Sequence, residues 1–346
     1  MIHTDRKLLY EVSIIRPTVI LLLVLLHSFE KIANGGLLHQ NYHLIWIYRW
    51  LVRFIKGFRI ETIALVAGYV FAYQSLVLGR KYSFFPFVKK KFFRLIIPML
   101  VFGSLYYFCF LYDSSNFSIG GFIVKLLSGC GHLWFLPMLF WCFVAIWAID
   151  HFHLSSWWLL LALAILTIIP TPSFPFGFSR LPHFLFYVYF GYFLWEKREY
   201  VLKFKDNFLV IALLWLTYCV LVPVNFILPD SAPELSFWGR SLLTSYGLSS
   251  LLLSCSGIMA LYLTVCHFTE KESYHPKQWV IDASGVCYGV YVFHQFILVW
   301  LYFYTPLVSK VPNPMVPIIG FIIALSVSLA LTKLLLKTKV GQFLIG

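Results

Sequence analysis

SIIRPTVILLLVLLHSF, residues 13–29, reads as a membrane-spanning helix with two ionisable side chains inside it, Arg16 and His27. About 20 mostly apolar residues cross a bilayer, and this run continues to residue 33. Eleven helical steps of roughly 100° bring His27 back to within about 20° of Arg16, so the two share a face. At about 1.5 Å per residue they stand about 16 Å apart along the axis, around half the hydrocarbon thickness. An ionisable residue at the centre of such a helix costs about 3 kcal/mol or more, so it faces a polar interior or a substrate path. Two on one stripe predict a lined path.

The whole chain agrees with a membrane reading. Its 346 residues are 60% hydrophobic and only 12% charged, which an all-α polytopic membrane protein requires and a soluble domain does not. The 35 Phe, 21 Tyr and 12 Trp fit aromatic belts at both interfaces. A net charge of +13 would point to a polyanion partner in a soluble protein. Here the basic residues fall between hydrophobic runs and act as topology signals, and no nucleic-acid motif is present. The seven cysteines are scattered without a CxxC pair, so they read as small packing residues rather than a metal site or disulfide. MIHTDRKLLYEV resembles the start of a signal peptide, but Arg16 within the apolar run argues that the segment stays attached.

Ten hydrophobic spans are predicted, near residues 13–33, 60–79, 94–112, 132–149, 157–171, 182–195, 207–228, 242–267, 282–304 and 315–336. The fifth and sixth are short and bounded by Pro170, Pro172, Pro175 and Pro182. An even number puts both termini on one side. Eighteen of the 27 Lys and Arg then share that side, which makes it the cytoplasm. The misfit is NYHLIWIYRWLVRFIKGF, residues 41–58, basic yet placed outside. It is expected to form an amphipathic interfacial helix with Arg49, Arg53 and Lys56 opposite Trp46, Trp50 and Phe54. No soluble domain or repeat is visible, so residues 1–346 form one membrane domain.

Three further stretches carry polar chemistry. In RKYSFFPFVKKKFFRLIIP, residues 80–98, Lys91 and Arg94 are three apart and neighbour each other where the third span leaves the cytoplasm. Paired cations at a membrane mouth suit a phosphorylated cofactor; on charge alone a topology signal or the binding of anionic membrane lipids is the simpler explanation. In GHLWFLPMLFW, residues 131–141, His132 and Trp134 enter the fourth span, as site residues or as interface anchors. In SGVCYGVYVFHQF, residues 284–296, Cys287, Tyr291 and His294 share a face, with helix packing as the alternative. Gly285 and Gly289 read as close-packing positions.

Taken together these stretches resemble the membrane acyltransferase-3 family. Arg16 and His27, with ten residues between them, are similar to its first-helix signature. FRIETIALVAGYVF (58–71), ending in Ala67, Gly68 and Tyr69, resembles its second-helix motif. KFFRLIIP (91–98) resembles its cytoplasmic Arg-x-x-Arg-x-x-x-Pro stretch, HLWFL (132–136) its fourth-helix motif and YGVYVFH (288–294) its penultimate-helix motif. Four positions depart from the pattern: Lys91 for Arg, Ala67 for Ser, Pro17 for Gly, and Ser13 for an acidic residue.

The resemblance implies a ten-helix enzyme of a bacterial cytoplasmic membrane. Such enzymes take an acyl group, usually acetyl, from cytoplasmic acyl-CoA to a hydroxyl of an extracytoplasmic polysaccharide or glycolipid. It makes His27 the general base and Arg16 the group that orients acyl-CoA or stabilises the oxyanion, with Lys91 and Arg94 on the CoA phosphates. His132, Trp134, Tyr291 and His294 are further site candidates, and no metal is called for. Direct transfer, a covalent acyl-histidine relay and homo-oligomerisation stay open. The rival class is a transporter or flippase for an anionic or lipid-linked sugar, for which the same polar stripe would serve.

Overall fold

The structure is a computed structural model that describes residues 9–33, 45–169, 171, 174–231, 247–271 and 273–346. Among these there is no strand, as lipid demands: with no water to satisfy the backbone, a spanning segment bonds its own peptide groups in a helix. Eight helical stretches are long and apolar enough to cross a membrane. The two short predicted spans appear as helices Trp157–Ile168 and Leu181–Glu196, each cut off near the prolines that bound them. All ten predicted spans therefore fall on apolar helices, making this a polytopic helical membrane protein. Residues 242–246 of the eighth span, the loop 34–44, and Arg6, Lys7 and Arg240 lie outside the described residues.

The helices that build the site are α1 (Tyr10–Ala33), α2 (Ile45–Lys56) and α3 (Arg59–Ala72), the last running on into a π-helical turn Tyr73–Val77. Next come α4 (Phe84–Lys91), a second π-turn Phe92–Ile96, and α5 (Ile97–Phe110). After α6 (Ile119–Leu127), a 3₁₀ turn Gly131–Trp134 leads into α7 (Phe135–His151). The two short spans are α8 (Trp157–Ile168) and α9 (Leu181–Glu196), followed by α10 (Arg198–Leu202), α11 (Phe208–Ser231), α12 (Leu248–Thr269) and α13 (Gln278–Phe303). The chain closes with α14 (Leu307–Lys310), α15 (Val316–Leu336) and α16 (Lys339–Ile345).

Small residues set the closest approaches, as they do where helices pack in lipid. A Cβ on Gly68 would lie 1.7 Å from the Val188 carbonyl oxygen, and one on Gly191 would lie 1.9 Å from that of Leu65. Helices α3 and α9 thus touch backbone to backbone, which explains the glycine in the 58–71 motif. Gly289 does the same for α13 against Thr332 of α15, where a Cβ would meet Cγ2 at 2.3 Å. Helix α13 is central, with 72% of its apolar window buried, whereas α11 at 17% faces outward.

The described ends of the chain share one face. There Tyr10 meets Tyr274 at 5.9 Å between ring centroids, and Phe343 of α16 meets Phe93 at 6.0 Å. A buried clamp closes the same end. Arg198 Nη2 donates to Glu11 Oε1 at 3.0 Å and Glu270 Oε1 at 2.6 Å, while its Nε donates to Tyr69 Oη at 2.9 Å. Tyr69 in turn donates to Glu11 Oε1 at 2.7 Å, so α1, α3, α10 and the end of α12 are tied together. This is the basic face of the charge reading.

Helix α2 forms, with its faces assigned differently from the sequence expectation. Tyr48, Val52 and Ile55 are its buried residues, while Trp46 and Phe54 are exposed. Arg53 lies over the Trp50 ring at 5.8 Å rather than opposite it. The reason is spacing: residues three apart are neighbours on a helix, so a cation at 53 pairs with an aromatic at 50.

Candidate functional site

Both π-turns stand on the basic face, and the second carries Arg94 between α4 and α5. One extra residue per turn re-aims side chains locally, and such turns cluster at functional sites. Here they flank a chamber of about 470 Å³ enclosed by α1, α3, α7, α13 and the Phe92–Ile96 turn. Lys91, Arg94, Gln74 and Arg16 line it together with Ser284 and Tyr288. Its α3 lining runs from Gln74 to Ile63, eleven residues, so it reaches about 16 Å inward, around half the hydrocarbon thickness.

The structure brings together Arg16, Lys91 and Arg94, of which the sequence set only Lys91 and Arg94 side by side. None of the three makes a side-chain hydrogen bond or ion pair among the described residues, and their charges lie close enough to repel one another. Aromatic faces take the place of carboxylates: Lys91 Nζ stands 3.3 Å from the Phe143 ring centroid, and Arg94 lies 5.4 Å from that of Tyr288. Three cations converging in one chamber without a counter-charge among the described residues are chemically suited to a multiply charged anion.

A second polar group lies nearer the opposite face. His27, His294 and His132 form a row, with ring centroids 5.4 Å apart for the first pair and 5.0 Å for the second. His27 Nδ1 stands 3.1 Å from Glu30 Oε2. A carboxylate only accepts, so Nδ1 carries the hydrogen; in the neutral ring Nε2 then keeps the lone pair, the tautomer a general base needs. His294 is fully buried, and its Nδ1 donates to the Tyr291 carbonyl at 2.7 Å. Its Nε2 is therefore a bare acceptor, with no partner among the described residues. His132 Nε2 donates to the Val292 carbonyl at 3.0 Å, and Tyr291 Oη donates to the His132 carbonyl at 2.6 Å.

The expectation that Arg16 and His27 line one path needs correcting. Arg16 lines the chamber and His27 does not. Tyr291 joins the two groups, lining the chamber while its ring lies 5.4 Å from His132 and 6.2 Å from His294. Trp134 belongs to neither group. It packs under Arg180, whose guanidinium carbon is 3.7 Å from its ring centroid, and against Phe184. Gly285 is not a packing position either: a Cβ there would meet nothing within 4 Å, because the residue opens onto the chamber. Sequence reasoning missed Glu30 and Gln74. The signal for Glu30 was present, an acid three residues after His27 on the same helix.

The described residues thus form a polytopic helical fold with a cationic chamber on one side and a carboxylate-held histidine toward the other. The chain's sequence matches the acyltransferase-3 model, described as an acyltransferase domain, over residues 9–333, nearly its whole length, and it belongs to that family. No curated protein and no solved structure matches it.

Proposed function

We propose that this membrane acyltransferase takes an acyl group, acetyl in the first instance, from acyl-CoA at the basic, cytoplasmic face. It passes the group to a hydroxyl of a polysaccharide or lipid-linked sugar on the opposite side. One observation carries the reading. The chamber starts at three uncompensated cations and ends at Tyr291, beside the histidine row. Cations at the mouth suit the phosphates of CoA, and an apolar, inward-running chamber suits its pantetheine arm and thioester.

In this reaction the acceptor hydroxyl gives its proton to His27 Nε2 as its oxygen attacks the thioester carbonyl carbon. The carbon–sulfur bond breaks, the ester forms, and the CoA thiolate leaves and takes up a proton. Glu30 holds the imidazole in the required tautomer throughout. Arg16 stands eleven residues, about 16 Å, from His27 on one helix. That distance favours a role at the donor phosphates beside Lys91 and Arg94 over one at an oxyanion by the histidine.

The test is to reconstitute the protein, supply labelled acetyl-CoA and a glycan or lipid-linked sugar extract, and measure free CoA and label in the acceptor. His27→Gln should lower transfer by about 10²- to 10⁴-fold while acetyl-CoA still binds. Absence of CoA release from the wild type, or near-normal transfer by His27→Gln, overturns the reading.

A further inference from the structure

A second cavity, of about 390 Å³, adjoins the chamber on the side of the basic face. Arg16, Val70, Gln74, Ser284 and Gly285 line both, so the two are lobes of one space. Along α1 the chamber is lined by Arg16, Val19 and Ile20, whereas the second lobe is lined by Leu9, Val12, Ser13 and Arg16. The second lobe is therefore the one nearer the end of the helix, with Arg16 at the junction.

Its chemistry differs from that of the chamber. Leu9, Val12, Leu78 and Ile281 supply apolar walls, and Arg80 the one cation besides Arg16 among its described lining residues. The exposed Arg80 side chain has no ion pair or hydrogen bond among the described residues. Its position is fixed by the backbone, since Arg80 N–H donates to the Gln74 carbonyl at 3.1 Å. Tyr82 Oη donates to Gln74 Oε1 at 3.1 Å, which leaves the Gln74 amide nitrogen to donate into the lobe. Apolar walls, an amide edge and one guanidinium beyond the shared Arg16 match a heterocycle that carries one phosphate close by.

We infer that this second lobe takes the nucleotide end of acyl-CoA and that Arg80 recognises the phosphate on the 3′ position of its ribose. The inference rests on the acyl-CoA reading above. It follows from the order of charges: the donor has a nucleotide at one end, a diphosphate in the middle and a thioester at the other. The two lobes repeat that order, with Arg80 outermost, Arg16 at the junction, and the chamber running inward. Arg80 thus acts on donor choice, at a distance from the chemistry.

The experiment compares acetyl-CoA with acetyl-dephospho-CoA, which lacks only that phosphate, in vesicles of zwitterionic lipid. The readout is the ratio of the two kcat/KM values. A lost charge-assisted contact corresponds to about tenfold or more, so the wild type should favour acetyl-CoA by that factor. Arg80→Gln should bring the ratio close to one, mainly through KM for acetyl-CoA. Lys81→Gln, a neighbouring charge that lines neither lobe, should leave the ratio unchanged. An unchanged ratio in Arg80→Gln, or an equal collapse in Lys81→Gln, overturns the inference, because loop charge in general would then be responsible. A ratio that vanishes when anionic lipid is added overturns it too, by giving the lobe to a lipid phosphate. If neither donor releases free CoA in the wild type, the acyl-CoA reading itself has failed, which is a separate result.

Discussion

Replacing Glu30 by Gln should slow acyl transfer without touching donor binding. The pair is local: His27 Nδ1 and Glu30 Oε2 are 3.1 Å apart on one helix, with side chains 18% and 28% exposed. A hydrogen bond to a charged group contributes about 1.5–3 kcal/mol, and partial exposure places this one in the lower half of that range. A loss of about 1.5–2 kcal/mol in the transition state corresponds to roughly 10- to 30-fold in rate. Gln can donate as well as accept, so it also allows the tautomer with its hydrogen on Nε2, which cannot act as a base. The assay is initial-rate transfer with acetyl-CoA varied: kcat should fall by that factor and KM for acetyl-CoA should hold. Glu30→Asp, which keeps a carboxylate one methylene shorter, should recover part of the rate. Glu30 also stands near Lys56 and Arg59, so an unchanged thermal midpoint is needed to show that the helix packing survives. A Glu30→Gln enzyme with kcat within twofold of wild type, or a loss confined to KM, would refute the positioning role.

Two other perturbations bear on the donor mouth and the fold. Arg94→Ala should weaken acetyl-CoA binding by about 10- to 150-fold in a calorimetric titration, while Lys91→Arg should be tolerated or bind better; unchanged affinity in the alanine variant would leave the loop as a topology signal. Arg198→Ala should cost about 3–5 kcal/mol in unfolding, because it strands Glu11, 1% exposed, without its cation. Lys205→Ala, which breaks a pair with the 61% exposed Asp206, should change the thermal midpoint little.

The helices were legible because lipid leaves a chain few options. Apolar length alone marked all ten spans, although the helical stretch of the third begins at Phe84, ten residues before the expected start, and the prolines around 170–182 marked the two short ones. Faces and cavities were harder to read. Gly285 and Gly289 are four apart and looked alike in sequence, yet one opens onto the chamber and the other meets Thr332. The difference lies in the neighbouring helix, which spacing along α13 cannot report. On α2 the pairing of Arg53 with Trp50 was readable from i, i+3 spacing, whereas the burial of Tyr48, Val52 and Ile55 depends on its neighbours in the fold.

The stripe of Arg16 and His27 shows where such reading stops and what the fold adds. Periodicity correctly put both on one side of α1, but the surroundings of that side change along its length. At Arg16 it meets empty space bounded by cations; at His27 it meets the His294 ring at 5.4 Å. The chamber therefore ends beside Tyr291, with the histidine row next to it. Tyr291 has its hydroxyl committed to the His132 carbonyl at 2.6 Å, so its ring is held at the inner end of the chamber beside the histidines. The proposed reaction thus requires the acceptor hydroxyl and the thioester to meet at that inner end of the chamber. Its inner boundary, formed by Tyr291 and its histidine neighbours, is where donor and acceptor sites must join.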